Sequence, residues 1–132
     1  MGRQLILETT FLIDLEREHH RGRTGPAVAF LEANPEARLY LPFIVAGELA
    51  AGIAMRDRAR WEAFLAPLYV LPSTADVNWH YGRTYRHLHD TGRLIGANDL
   101  WIAATALAYQ MSVVTRNVEH FQRVPGLDVE RY

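Results

Sequence analysis

The chain has 132 residues, of which 49% are hydrophobic and 22% charged, the length of one domain spanning residues 1–132 and the composition of an ordinary globular protein. It contains no cysteine, which excludes disulfides and thiolate metal sites and leaves carboxylates, histidine and water to hold any cation. The net charge of −1 gives no global attraction to nucleic acid. With no apolar run long enough to span a bilayer and no secretory leader pattern, the expected location is the cytoplasm, with no membrane partner.

The first element is predicted within Gln4–Asp14, QLILETTFLID. Leu5, Ile6 and Leu7 form an apolar run without polar alternation, too short for a helix, as in a strand buried on both faces of a parallel sheet. Ligands in such sheets sit beyond the carboxyl ends of the strands, where this run delivers Glu8. The competing reading is a strand-end acid that caps the next helix, a task Thr9 or Thr10 can also perform. Phe11–Glu18 reads as a short helix, and His19–Gly25 as a polar loop. Pro26 suits the first position of a helix running to about Asn34, ended by Pro35. Arg38–Leu41 is a second short strand.

Pro42 opens FIVAGELAAGIAM, where Ile44, Val45, Ala51, Gly52 and Met55 fall at helical spacing around Glu48. A carboxylate within an apolar stripe must be paired, protonated or bound to a cation. An ion pair with an arginine is the plain alternative. Arg56–Leu65 is an amphipathic helix with Trp61, Phe64 and Leu65 inward, and Tyr69–Leu71 is a brief extended piece. Ser73 and Asp76 resemble a helix-start box, after which Val77, Tyr81, Tyr85 and Leu88 mark one face of a long helix that Gly92 stops. His87 and His89, two apart, do not share a face and make a poor ligand pair.

In LIGANDLWIAATALAYQ, Asn98 or Asp99 can cap a helix whose stripe is Ile102, Ala103, Ala106 and Leu107, and Asp99 points along the buried side of its mouth. Met111–Thr115 is another buried-type strand with Arg116 and Asn117 at its carboxyl end. Leu127–Glu130 alternates apolar and acidic residues, as an edge strand does. All fourteen basic residues are arginine, each a planar fork suited to phosphate. They cluster in Arg17–Arg23, Arg56–Arg60 and Arg83–Arg93. A solvated helix face is the plain reading of each cluster.

Glu8, Glu48 and Asp99 thus occupy a strand end, a helix stripe and a helix mouth, with Asn117 ending a second central strand. Oxygen donors so arranged suit a hard cation such as Mg²⁺ or Mn²⁺, with water and a phosphate filling its other positions.

At these four places the chain resembles PIN-domain ribonucleases, in particular the VapC-type toxins of type II toxin–antitoxin systems. LETTFLID resembles the family's opening strand and turn, FIVAGELAAG its second acidic helix, NDLWIAATAL its third acidic motif and VVTRNVEHF its last. The four motifs in order are specific and cover nearly the whole chain. The resemblance implies an α/β fold, a PIN-like three-layer α/β/α sandwich around a small, mostly parallel central sheet. It implies catalytic roles for Glu8, Glu48, Asp99 and Asn117, metal binding by Glu8, Glu48 and Asp99, and supporting hydroxyls from Thr10 and Thr115. The implied reaction is Mg²⁺- or Mn²⁺-dependent hydrolysis of an RNA phosphodiester, leaving a 5′-phosphate and a 3′-hydroxyl. The implied partners are a cognate antitoxin, an RNA substrate and a second copy of the chain in a homodimer.

One position departs from the pattern: the family's first acid is normally aspartate, and here it is Glu8. The added methylene moves the carboxylate by about 1 Å, and such a shift can cost about a hundredfold in rate. The alternative expectation is therefore a catalytically impaired or silent PIN-like module that binds metal or RNA without cutting. A phosphoester hydrolase with a covalent aspartyl intermediate is disfavoured by the glutamate at position 8 and the absence of lysine.

Overall fold

The computed structural model describes residues 2–132. Its five strands are β1 (Gln4–Leu7), β2 (Arg38–Pro42), β3 (Tyr69–Leu71), β4 (Ser112–Thr115) and β5 (Val129–Arg131). They form one sheet in the order β3-β2-β1-β4-β5, and every pairing is parallel. The register sets Ile6 opposite Tyr40 of β2 and Val113 of β4. Consecutive side chains of a strand point to opposite faces. Leu5, Ile6 and Leu7 are all buried, so both faces of the central strand are covered, as the unbroken apolar run requires. Val113 and Val114 do the same for β4.

The helices flank this sheet in an α/β sandwich: α1 (Thr9–Arg21), α2 (Pro26–Ala33), α3 (Phe43–Ala51), α4 (Arg58–Leu65), α5 (Ala75–Asp90), α6 (Ala97–Tyr109) and α7 (Val118–Gln122). Between α1 and α2, α5 and α6, and α3 and its neighbours, the packing joins one core with Phe11, Leu12, Leu41, Val45, Leu88, Leu100, Ile102 and Phe121 buried in it. No helix of the described residues is long and apolar enough to cross a membrane.

Strand order reverses at β1. From it the chain moves outward to β2 and β3, then returns to the other side for β4 and β5. In a parallel sheet this reversal opens a crevice at the carboxyl ends of the two strands that flank it. Those ends belong to β1 and β4, and they deliver Glu8 and the Thr115–Asn117 turn.

Several boundaries differ from the sequence expectation, each for a local reason. The first helix begins at Thr9 and runs to Arg21, where Gly22 at φ +63° donates to the His19 and Glu18 carbonyls and closes it. Left-handed backbone there suits glycine. The helix through FIVAGELAAGIAM ends at Ala51, and Ile53–Met55 is a separate 3-10 turn, because Gly52 takes extended backbone. The cap of α5 is Thr74, whose hydroxyl accepts from the Val77 N–H at 3.2 Å, whereas Ser73 bonds to Asn78. On α5 the buried positions are Val77, Thr84 and Leu88, and Tyr85 is exposed. The mouth of α6 is capped by the backbone at Gly96, so neither Asn98 nor Asp99 serves as its cap.

Candidate active site

Glu8 is the residue between β1 and α1. It occupies the N-cap position of α1 with extended backbone, yet its side chain makes no capping hydrogen bond. It is 4% exposed, and its Oε1 is a buried side-chain atom without a hydrogen-bond partner, the one such atom among the described residues. Burial pushes its carboxyl above the usual range. The backbone N–H and hydroxyl of Thr10 and the N–H of Phe11 oppose that rise, and the charge of Asp99 adds to it. A buried acceptor left without a donor costs about 1–3 kcal/mol, and more when it is charged. The fold holds this carboxyl in place against that cost, which a proton or a cation would offset.

Asp99 lies in the first turn of α6. Burial raises its carboxyl too, the charge of His120 draws it down, and the charge of Glu48 raises it. His120 Nδ1 stands 3.8 Å from Asp99 Oδ2 and 2.7 Å from Asn117 Nδ2. His120 therefore links Asp99 to Asn117, in the turn that follows β4. The backbone N–H of Asn117 in turn donates to the buried Thr115 hydroxyl at 2.9 Å, which fixes the turn.

Glu48 sits at the edge of the α3 stripe, half-buried, while Val45, Ala46 and Leu49 form the buried face. Its partner is a hydroxyl: Thr9 Oγ1 donates to Oε1 at 2.7 Å. The sequence alternative of an ion pair with an arginine is absent among the described residues. Glu8, Asp99 and Glu48 thus influence one another as a chain, with Asp99 in the middle.

Asp14 closes the other flank. The Tyr132 hydroxyl donates to Asp14 Oδ2 at 2.7 Å, and Arg116 approaches the same oxygen at 3.3 Å. Burial raises the Tyr132 hydroxyl well above the ordinary tyrosine range, Asp14 raises it further, and Glu8 adds to the effect. The ring of Tyr132 packs edge-on against Phe11 at 4.6 Å.

The donor chemistry fits a hard divalent cation: three carboxylates under mutual repulsion, one with an unpartnered buried oxygen, all oxygen ligands. The spacing is looser than a closed shell. Among the described residues no group of three or more acids and histidines stands close enough to enclose an ion by itself.

The PIN domain model matches residues 5–127. The chain belongs to the PIN-domain family. Within that family it is similar to VapC proteins. It is 32% identical to Ribonuclease VapC2 of Rickettsia felis over 94 residues, covering 67% of this chain and 70% of that one. It is 32% identical to Ribonuclease VapC19 of Mycobacterium tuberculosis over 123 residues, covering 92% and 95%. A crystal structure of VapBC2 from Rickettsia felis, bound to a DNA fragment from its promoter, superposes with a TM-score of 0.83 at 26% identity over 98% of each chain.

Of the sequence-selected residues, the fold brings Asp99 within electrostatic reach of Glu8 on one side and Glu48 on the other, and links Asn117 and Thr115 to Asp99 through His120 and the β4 turn. Thr10 faces the Glu8 carboxyl. Sequence reasoning missed Thr9, which holds Glu48, and Tyr132, which holds Asp14. Thr9 offers a signal, since it adjoins Glu8, but in sequence it reads only as a cap. Tyr132 offers none.

Proposed function

We propose that the chain is a metal-dependent endoribonuclease that acts as the toxin of a toxin–antitoxin pair. The observation that carries this reading is the Glu8 carboxyl, buried at the sheet's switch point with Oε1 unpartnered and facing Asp99, which faces Glu48 in turn. The names of the relatives, ribonucleases of the VapC group, supply the reaction class and the substrate, RNA. The VapBC complexes among the solved relatives support a cognate antitoxin as partner.

In this reading Glu8, Glu48 and Asp99 hold Mg²⁺ or Mn²⁺, Asn117 supplies the fourth polar group, and Thr10 and Thr115 support the acids. When bound, the cation supplies Lewis-acid chemistry, activating water as a nucleophile and offsetting charge on the phosphate. The protein's own residues do the rest. Thr9 orients the Glu48 carboxylate, an arrangement whose loss elsewhere costs about 10–100-fold in metal affinity or activity. His120 and Asn117 fix the outer edge of Asp99. Tyr132 and Arg116 hold Asp14 out of the ligand set and keep a guanidinium at the rim, where the phosphate backbone must pass. The protein works in the cytoplasm, without a membrane partner, and pairs with a second copy of itself.

A second reading, a PIN-like module that binds cation and RNA without cutting, is favoured by the loose spacing of the acids and by glutamate at position 8. Incubation with single-stranded RNA tests the two. The enzyme reading expects cleavage with Mg²⁺ or Mn²⁺ that a chelator abolishes. Cleavage that survives the chelator overturns metal dependence, and RNA binding without any cleavage establishes the silent module instead.

A further inference from the structure

Arg17, Arg21 and Arg23 of the first arginine cluster converge on one cavity. Arg58 pairs with Glu62 at 2.7 Å and Arg60 with Glu16 at 3.0 Å, while Arg83 lies over the Trp79 ring. Arg17, Arg21 and Arg23 have no ion-pair partner among the described residues, and together with Arg116 they line a cavity of about 290 Å³ between the end of α1 and the start of α2. Two carboxylates share that wall, and both are committed elsewhere. Asp14 accepts from Tyr132 and pairs with Arg116. Glu18 accepts from the backbone N–H groups of Gly25, Ala27 and Val28, which closes the start of α2 to any other anion. The cavity is therefore a concave surface where four guanidinium groups face two carboxylates, a net charge of +2. Arg116 connects it to the acidic site, because the next residue is Asn117.

From this placement we infer that the α1–α2 cavity binds a backbone phosphate of the RNA strand, adjacent to the acidic site. The inference rests on the reading of RNA as substrate and specifies where the strand lies. An acidic pocket repels a polyanion, so RNA reaches it only when fixed positive charge close by holds the backbone. Guanidinium forks match phosphate oxygens in pairs. Such interactions position the strand without choosing its sequence. They act on a phosphodiester away from the scissile bond, so their energy is the same in ground and transition states and appears in KM rather than kcat.

The test uses the whole chain carrying Arg17→Gln, Arg21→Gln and Arg23→Gln together, beside a control with Arg56→Gln, Arg58→Gln and Arg60→Gln that removes the same charge elsewhere. All six residues are exposed, so both proteins should keep the wild-type melting temperature. Cleavage of a single-stranded RNA is measured against its concentration and against salt. The cavity variant is expected to raise KM about tenfold with kcat within twofold. Its plot of log affinity against log salt should flatten by roughly 0.7 for each phosphate that the arginines no longer neutralise. The control should stay near wild type on both measures. Equal effects in the two variants, or a cavity variant with unchanged KM and salt slope, overturn the inference while leaving the nuclease reading intact. A wild-type protein that neither cuts nor binds RNA overturns both.

Discussion

At the far end of α1, Glu18 accepts three backbone N–H groups, those of Gly25, Ala27 and Val28, at 2.8–3.0 Å. Desolvation works to raise its carboxyl, but the three bonds together hold it below the usual range. At the near end of the same helix, Glu8 is more deeply buried, has one oxygen without any partner, and is pushed upward. The two glutamates share a helix and a chemical type and differ in what the backbone gives them. Glu18 is a structural acid that satisfies the start of α2. Glu8 keeps one buried oxygen without a partner, and the charge of Asp99, itself raised by Glu48, adds to the rise of its carboxyl.

Substitutions at the two ends should therefore separate activity from stability. The largest expected effect is on catalysis: Asp99→Asn, in the middle of the acid chain, should lower metal-dependent RNA cleavage at least about a hundredfold, with the fold intact by circular dichroism. Glu8→Asp restores the family's shorter acid and should raise cleavage in the same assay. Equal or lower activity in the aspartate form would show that this site has adapted around the glutamate. Next comes stability at the other end. Glu18→Gln loses charge-assisted bonds to the start of α2 and should cost about 1–2 kcal/mol in denaturant unfolding, with cleavage by the folded protein unchanged.

The pH dependence of stability should differ in sign between the two. Because the Glu8 and Asp99 carboxyls are raised by folding, the folded state binds protons more readily than the unfolded chain. Their contribution is fully present below the unfolded carboxylate range and is lost as pH rises through the raised values. Glu18 behaves oppositely: its contribution is present above the unfolded value and is lost as pH falls through the lowered one. In chelator, Glu8→Gln should accordingly raise the melting temperature at neutral pH by a few degrees, roughly 1 kcal/mol, and have little effect at acid pH. A drop at neutral pH would mean that the charge at position 8 is stabilising. A single hydroxyl has an effect of similar size: Thr9→Val leaves Glu48 without its partner and should weaken Mn²⁺ affinity by about tenfold, read by thermal shift.

The strands of the site were legible because fully buried parallel strands carry an unmistakable pattern. Leu5–Leu7 and Val113–Val114 are unbroken apolar runs, and each is followed by a polar residue that such a sheet must place at its carboxyl end. Glu48 and Asp99 were legible as acids at helix positions that simple surface does not explain. Helix ends were read less well. Gly52 and Gly96 act through backbone conformation that composition leaves open, and Thr74 competed with a neighbouring serine for the same role. The interactions that tune the site were invisible for a different reason. Thr9 reaches Glu48 across 39 positions and Tyr132 reaches Asp14 across 118, so only the closed sheet brings them together. The arginine clusters looked alike in sequence. What sets Arg17–Arg23 apart is the cavity that they line together with Arg116, and that depends on the fold.

Calorimetric titration of Mn²⁺ into the wild-type chain and into Glu8→Gln across a range of pH, in buffers of different ionisation enthalpy, tests the central claim most directly. If the unpartnered Glu8 carboxyl anchors the cation, the wild type binds Mn²⁺ with release of protons from the raised carboxyls, and Glu8→Gln weakens binding at least tenfold with fewer protons released. Equal affinity and equal proton release in the two proteins would contradict it.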